Sequence, residues 1–399
     1  MDELSIMTWN WQQPDWPQFT WDERRLARAE EAFLVGGGVV LGTLEHLPEG
    51  TGESLVVDTF TNEAVDTSEI EGETLDRDSV QSSIRRQLGL AADPLRSGPA
   101  EEGIAELMVA LYREPAEPLS HETLFDWHEM VCRGRRDLAD VGRYRTHADP
   151  MQVVSGPIHR PKVHFEAPPS ERVPAEMDAF VDWFNRTAPG DASPLPAVTR
   201  AGLAHLYFVS IHPFEDGNGR IARALAEKAL AQGLGRATLT ALSATILDRR
   251  SAYYDELERA NKRNEVTEWL AWFAGVTLDA QRRTQARVEF ILDKTRLLDR
   301  LRGDLNERQE KALLRVLQEG PEGFKGGLSA GNYRTITGAP PATATRDLAD
   351  LVEKGAFTRT GEKKHSRYHL SIPVRPTQRV TVDHEGTILE RQELDPESG

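Results

Sequence analysis

The sequence predicts a mainly α-helical protein with one β-hairpin in its helical body and a small α+β module toward its C-terminus. Three observations predict this. Between residues 101 and 290 nearly every periodic stretch repeats its apolar residues at helical spacing. "MQVVSGPIHRPKVHFEAPP", 151–169, breaks the pattern with short β-prone runs about Gly156 and Pro157. After about residue 305, three amphipathic segments precede two β-prone runs around a basic turn, an order that resembles a winged helix-turn-helix.

Taken in order, the chain opens with Trp9, Trp11, Trp16 and Trp21 around Pro14 and Pro17. Four indoles in so short a span are expected to pack back onto the charged helix that begins at "DERRLARAEEAFL". Residues 59–88 read as two helices parted at "EGETLD", with Gly72 as the stop and Asp76 or Asp78 as the restart. "GLAADPLRSGPAEEG" is a link. Helices follow at "IAELMVALYR", "HETLFDWHEMVCRG", "AEMDAFVDWFNRT", "TRAGLAHLYFVSI", "GRIARALAEKALAQGL", "RRSAYYDELERAN" and "VTEWLAWFAGVTLDAQRR". The hairpin among them needs a neighbouring surface to be stable. A charged helix about "QARVEFILDKTRLLDRLRGDL" leads to three shorter ones, the second closed by Gly338 and the third by Gly355, and then to strands within "AFTRTGEKKHSRYHL". The expected domains are 1–100, 101–290, 291–375 and a tail, 376–399.

Composition narrows the function classes. The 399 residues are 39% hydrophobic and 28% charged, a globular balance, and the net charge of −16 argues against general adhesion to nucleic acid or an anionic membrane. Cys132 is the one cysteine and can close no internal disulfide. The N-terminal residues lack a basic stretch followed by an apolar core, and "AFLVGGGVVLGTL" is too short to span a bilayer, so a cytoplasmic protein with no membrane partner is expected.

"IHPFEDGNGRIAR", 211–223, is the chemically dense stretch. It lies where one helix ends and the next begins, so the amides of Gly217, Asn218 and Gly219 meet the positive end of a helix dipole and form an anion cradle. Arg220 and Arg223, three apart, share a side of the new helix and can hold further phosphate oxygens. An acid beside phosphates needs a cation between them, which makes Asp216 a Mg²⁺ ligand. His212 remains as the group suited to proton abstraction near neutral pH. "GNGRIA" also satisfies a dinucleotide fingerprint, but no alternating βα units surround it; an EF-hand starting at Asp216 would put Arg220 and Ile221 where a ligand and a glycine belong.

"HPFEDGNGRIAR" resembles the Fic family motif HPFx(D/E)GNGRxxR at every defined position, and the resemblance covers roughly residues 60–290. It implies a helical core with a β-hairpin flap and transfer of AMP from ATP to a Ser, Thr or Tyr hydroxyl of a target protein, with self-modification common. It further implies His212 as the base, Asp216 on Mg²⁺, Asn218 and the glycine amides around the α-phosphate, and Arg220 and Arg223 on the β- and γ-phosphates. Thr67, Glu71 and Gly72 fit the family's inhibitory pattern (S/T)xxxE(G/N). Glu71 and Glu73 fall at a predicted helix C-terminus, where the dipole disfavours negative charge and a cation is a useful partner. The resemblance names that cation as Arg223. It makes the 151–169 hairpin, preceded by "GRYR", the flap that pairs with an extended target segment. Tyr254 and Asn261 match its nucleoside-contacting region. Removal of AMP, with Glu71 orienting a water, is the alternative within the family.

Residues 306–370 carry eleven Lys and Arg against eight Asp and Glu. Arg359, Lys363, Lys364 and Arg367 cluster on the expected wing, and Arg334, Thr343, Thr345 and Arg346 could face a groove, so DNA is a candidate partner and a nucleotide-sensing DNA-binding regulator a further reading. Asp347, Asp350 and Glu353 on the same helix count against it, and a homodimer-forming role is the competing use of such a module.

Overall fold

The computed structural model describes residues 9–44, 50–92, 95–156, 161–238, 240–318, 324, 326–372, 377–382 and 388–394. Pro157 of the expected hairpin turn and the side chain of Lys364 lie outside the described residues. The chain forms two compact units, 1–285 and 286–399.

The first unit contains α1 (Ala27–Leu44), α2 (Thr51–Ile70), α3 (Arg77–Gln87), α4 (Pro99–Arg113), α5 (His121–Val131), β1 (Gln152–Ser155), β2 (Lys162–Glu166), α6 (Val173–Arg186), α7 (Ala197–Ile211), α8 (Asn218–Leu234), α9 (Leu242–Asp248), α10 (Arg250–Ala260) and the greater part of α11 (Thr267–Arg300). The second holds the end of α11, then α12 (Glu307–Gln318), α13 (Ala330–Thr337), α14 (Pro341–Glu353), β3 (Phe357–Thr360), β4 (Arg367–Leu370), β5 (Thr377–Val382) and β6 (Ile388–Leu394). The fold is mainly α, as the periodicity implies.

Several boundaries differ from the sequence reading. α2 begins at Thr51 rather than Thr59, and α4 begins at Pro99, inside the expected link. Asp76, not Asp78, restarts the chain: its side chain accepts from the Ser79 amide at 2.8 Å. The two helices expected around residue 285 are the single α11. α9, seven residues long, is too short to show a period, and β5 and β6 pair within the expected tail. Among the described residues no helix is long and apolar enough to cross a membrane.

α7 is the centre of the first unit, with every residue from Ala197 to Ile211 buried. A helix that is apolar all round can be stable only inside a shell of other elements. Glu30 of α1 caps its start, accepting from the amides of Val198 at 2.9 Å and Thr199 at 2.6 Å. The tryptophans do not pack as expected. Trp9 stands edge-on to Phe165 of β2 at 5.4 Å, Trp11 Nε1 donates to the Glu166 carbonyl at 2.7 Å, and Trp16 meets Tyr207 of α7 at 5.2 Å. These partners belong to the hairpin and α7, not to α1, because each indole needs both an aromatic surface and an acceptor for its N–H.

Arg145 fastens the turn after α7. Its guanidinium donates to the carbonyls of His212 at 2.8 Å and Pro168 at 2.5 Å and to Ser170 Oγ at 2.8 Å, while its amide donates to the Pro213 carbonyl at 2.9 Å. Burial pushes its guanidinium down to about 10, which still leaves it charged at neutral pH.

In the second unit Leu313, Tyr333, Leu348 and Phe357 form the core with no exposed surface beyond a trace. Three helices followed by the β3–β4 hairpin are present in the expected order. Asp347 is buried: it accepts from Arg308 Nε at 2.9 Å and from the Tyr333 hydroxyl at 3.1 Å. It is therefore an internal counter-charge rather than a surface acid.

Replacing Arg145 by Met keeps the apolar stem but strands buried carbonyls. The expected loss, read from urea unfolding, is about 2–4 kcal/mol, the cost of orphaned acceptors formerly bonded to a charged donor.

Candidate functional site

The candidate site is the turn between α7 and α8 and what surrounds it. α7 stops at His212, whose φ of 51° and ψ of 60° are left-handed, and Pro213 cannot continue a helix. Gly217, at φ 81°, starts α8; a Cβ there would stand 2.9 Å from Val131 Cγ1. The next amides, in the first turn of α8, have no intrahelical acceptor and meet the positive end of the dipole. Of the three amides expected to form an anion cradle, those of Asn218 and Gly219 lie in this turn, while that of Gly217 donates to Asp216 Oδ1 at 2.6 Å.

Asn218 plays a different part from the one expected of its side chain. Its Oδ1 accepts from the Phe214 amide at 3.0 Å and its Nδ2 donates to the Phe214 carbonyl at 2.8 Å, so the carboxamide is spent closing the turn and only its backbone faces the cradle. His128 stacks on Phe214 at 4.0 Å and supports the same turn from below. His121 and His205 bond to Tyr144 and Tyr253 at 2.6 and 3.0 Å.

His212 Nδ1 faces the Val209 carbonyl at 3.3 Å, which favours hydrogen on Nδ1 and leaves Nε2 as the acceptor. Burial, helped by the Arg145 guanidinium, pushes the imidazole down to about 4. It is neutral, and so able to take a proton, at every pH above that.

Both motif arginines are occupied. Arg223, 2% exposed, donates from Nε to Thr67 Oγ1 at 2.7 Å and from Nη2 to the Thr67 carbonyl at 2.9 Å and to Glu71 Oε1 at 2.8 Å. Gly219 makes room for that carboxylate: a Cβ there would lie 2.3 Å from Glu71 Oε1. Gly72, at φ 85°, turns the chain away after Glu71, the C-cap of α2. Arg220, 4% exposed, donates from Nη1 to Glu73 Oε2 at 2.5 Å. Arg135 pairs with Asp216, whose Oδ1 also accepts from the Gly217 amide at 2.6 Å. Burial pushes the Asp216 carboxyl up, but that amide and the Arg220 and Arg135 guanidiniums hold it below its usual range.

Arg135 is a residue the sequence did not assign, and Glu73 was placed at a helix end without a partner of its own. The signal for Glu73 was the spacing in "EGE": two acids beyond one helix end face two arginines three apart on another. Arg135 gave none, because its partner is 81 residues away.

The described residues contain no group of three or more His, Cys, Asp or Glu placed to hold a metal ion. Asp216 stands as a single carboxylate at the cradle, which suits a Mg²⁺ that takes its other oxygens from phosphates and water.

Beside His212, Glu71 and Gly219 opens a cleft of about 580 Å³, a volume suited to a small ligand. Tyr254 and Asn261 both line it. The Tyr254 hydroxyl donates to the Ile70 carbonyl of α2 at 3.2 Å, and Asn261, 6% exposed, accepts from Ser210 Oγ at 3.3 Å. β1 and β2 pair antiparallel at its edge, with Val153 and Val154 exposed. In the second unit Arg359 Nε donates to Ser366 Oγ at 3.2 Å and Arg367 Nη1 to the Ser366 carbonyl at 3.0 Å, with Lys363 in the turn between their strands.

Residues 118–230 match the Fic/DOC family, and residues 9–90 match a family described as a domain of unknown function, DUF4172. The protein adenylyltransferase fic-1 of Caenorhabditis elegans is 27% identical over 185 residues, 45% of this chain and 34% of that protein. The protein adenylyltransferase Fic of Nematostella vectensis is 32% identical over 149 residues, 37% of this chain and 30% of that protein. The chain thus spans about a third of the length of these curated relatives. A Fic family protein from Desulfovibrio desulfuricans shares the fold, with a TM-score of 0.50 at 21% identity over 86% of this chain and 95% of that one. A helical body, a glycine-rich turn at the head of α8 and the match over 118–230 agree: the chain carries a Fic/DOC family domain over residues 118–230.

Proposed function

We propose that the chain is a self-inhibited protein adenylyltransferase, which moves AMP from ATP to a hydroxyl of a target protein. One observation carries the reading: Arg220 and Arg223, the side chains placed to hold phosphates, are both held by carboxylates from beyond the end of α2, next to a neutral His212. The names of the curated relatives support the transferase half of it.

In the active state Glu71 and Glu73 withdraw and the two guanidiniums receive the β- and γ-phosphates. The α8 amides hold the α-phosphate, kept in place by the Asn218 clasp on Phe214. A target segment pairs with β1 by strand addition, which orients its hydroxyl with little demand on sequence. His212 Nε2 takes the hydroxyl proton, the oxygen bonds to the α-phosphorus, and pyrophosphate departs. Asp216, released from Arg135, would carry the Mg²⁺ that offsets phosphate charge.

The same contacts give the expected rates. Glu71→Gly removes a charge-assisted bond to a buried guanidinium, so incorporation of labelled AMP should rise at least about tenfold. Adding Glu73→Ala should give a further factor of about three, since Glu73 is more exposed. His212→Ala in either background should abolish transfer to an added target protein. A Glu71→Gly protein that folds and binds ATP yet incorporates nothing would refute the transferase; release of AMP from a modified target by wild type, lost in Glu71→Gly, would assign removal instead.

A pH profile checks His212 separately. Its folded pKa is depressed, so the base is lost only as pH falls through about 4, and the stability it contributes is lost over the same fall from the ordinary imidazole value. The acid limb of kcat/KM, which reports the free enzyme, should therefore lie well below pH 6.5. A limb at or above 6.5 would remove His212 as the base.

A further inference from the structure

The hairpin carries a second hydroxyl, imidazole and carboxylate in line. Ser155 Oγ lies 2.6 Å from His164 Nε2, and His164 Nδ1 lies 2.6 Å from Glu258 Oε2. A carboxylate only accepts, so Nδ1 carries a hydrogen and donates to Glu258; with that hydrogen on Nδ1, Nε2 is the ring atom turned to the Ser155 hydroxyl and the one that can take its proton. The His164 bond, with Lys162 Nζ 3.4 Å from the same carboxylate, holds Glu258 below its usual range and therefore ionised. This is the arrangement of a nucleophile, a base and a group that orients the base.

The backbone supplies an independent observation. Val153 pairs with Phe165 and Val154 with Val163, which leaves His164 without a partner as the extra residue of a bulge. Bulges re-aim a side chain, and here the re-aimed side chain bridges β1 to Glu258 on α10. Ser155 is exposed and lines the same cleft as His212, Gly219 and Glu71. Other hydroxyls near the cleft differ: Tyr254 donates to a backbone carbonyl, and Tyr253, bonded to His205, is 2% exposed.

We propose that Ser155 is a self-modification site that accepts AMP from the nucleotide held at the head of α8 in its own chain. The inference rests on the adenylyl-transfer reading above. His164 Nε2 takes the Ser155 proton, and the imidazolium is stabilised by Glu258. Ser155 Oγ bonds to the α-phosphorus of ATP as the bond from that phosphorus to the bridging oxygen of the β-phosphate breaks. Pyrophosphate leaves with the electron pair, and His164 returns its proton to solvent. The product is a phosphodiester between Ser155 and AMP, on the strand offered to target segments.

The test uses the full chain with Glu71→Gly and Glu73→Ala, incubated with ATP and Mg²⁺ and mapped by peptide mass spectrometry. One AMP on Ser155, appearing at a rate independent of protein concentration, is expected. Ser155→Ala should remove that adduct and Ser155→Thr retain it. His164→Gln should slow it about 100-fold, the range of a lost general base, while leaving ATP binding and the circular dichroism spectrum unchanged. AMP on other residues but not on Ser155 overturns this site and leaves the transferase reading standing. An adduct rate indifferent to His164→Gln overturns the relay. No AMP on any residue of a folded, ATP-binding protein overturns the transferase reading and this inference with it.

Discussion

The buried guanidinium of Arg223 can serve one set of partners at a time. At 2% exposure it has no water to fall back on, so it must be held by Thr67 and Glu71 or by an incoming anion. Much of the site's layout follows from that exclusivity. Gly219 has no side chain because Glu71 approaches within bonding distance of where one would be. α2 ends where it does because its terminal carboxylate must reach the first turn of α8, and Glu73 extends the same contact to Arg220. Two carboxylates at the negative end of one helix meet two guanidiniums at the positive end of another, so the dipoles favour the pairing from both sides. The contact is electrostatic and local, and on the proposed function phosphate, which offers more charge to the same donors, is its competitor.

What was legible in the sequence was what is local in it. His212, Gly217 and the two arginines lie within one turn and the helix after it, so glycine chemistry, helix ends and three-residue spacing suffice to read their roles. Glu71 came through a short pattern and the oddity of an acid at a helix C-terminus. The rest depends on contacts between distant residues. Glu73 and Arg220 are 147 positions apart, and apart from the matched spacing of two acids and two arginines nothing announces their contact. Arg145 was quoted within "GRYR", but carbonyl acceptors leave no mark in a sequence. Asn218 was read through its backbone amide at the helix end; that its carboxamide donor and acceptor both close on Phe214 is a matter of turn geometry. The bulge at His164 is a register fact, and α9 is too brief to have a period. The tryptophans were correctly read as packed, but not which surface they pack on.

That surface matters to the site. Asn10 Nδ2 donates to Ser210 Oγ at 2.8 Å, and its backbone amide donates to the Asn261 carbonyl at 2.8 Å. Trp9 and Trp11 brace β2, whose own sheet has only two strands and could not stand alone. The region before α2 therefore fixes the rear of the cleft and the root of the hairpin, while the end of α2 closes the phosphate side. Both lie in the 9–90 segment, so one stretch of chain supports the cleft and holds the two arginines of α8.

Two further carboxylates bear on why Arg223 pairs with Glu71. Glu63 of α2 and Glu227, one turn after Arg223 on α8, line one cavity with Arg223. If both were ionised they would compete for the guanidinium, and neither Glu71 nor phosphate would be needed to neutralise it. Burial pushes both carboxyls up, and each raises the cost of ionising the other, so the pair keeps at least one proton. Glu63 instead accepts from the Ser243 amide at 2.9 Å, which ties α2 to α9 without engaging Arg223. Among the described residues Arg223 Nη1 has no hydrogen-bond partner. The guanidinium thus keeps an unmet demand for negative charge on the cleft side, where Glu71 and a phosphate are alternatives.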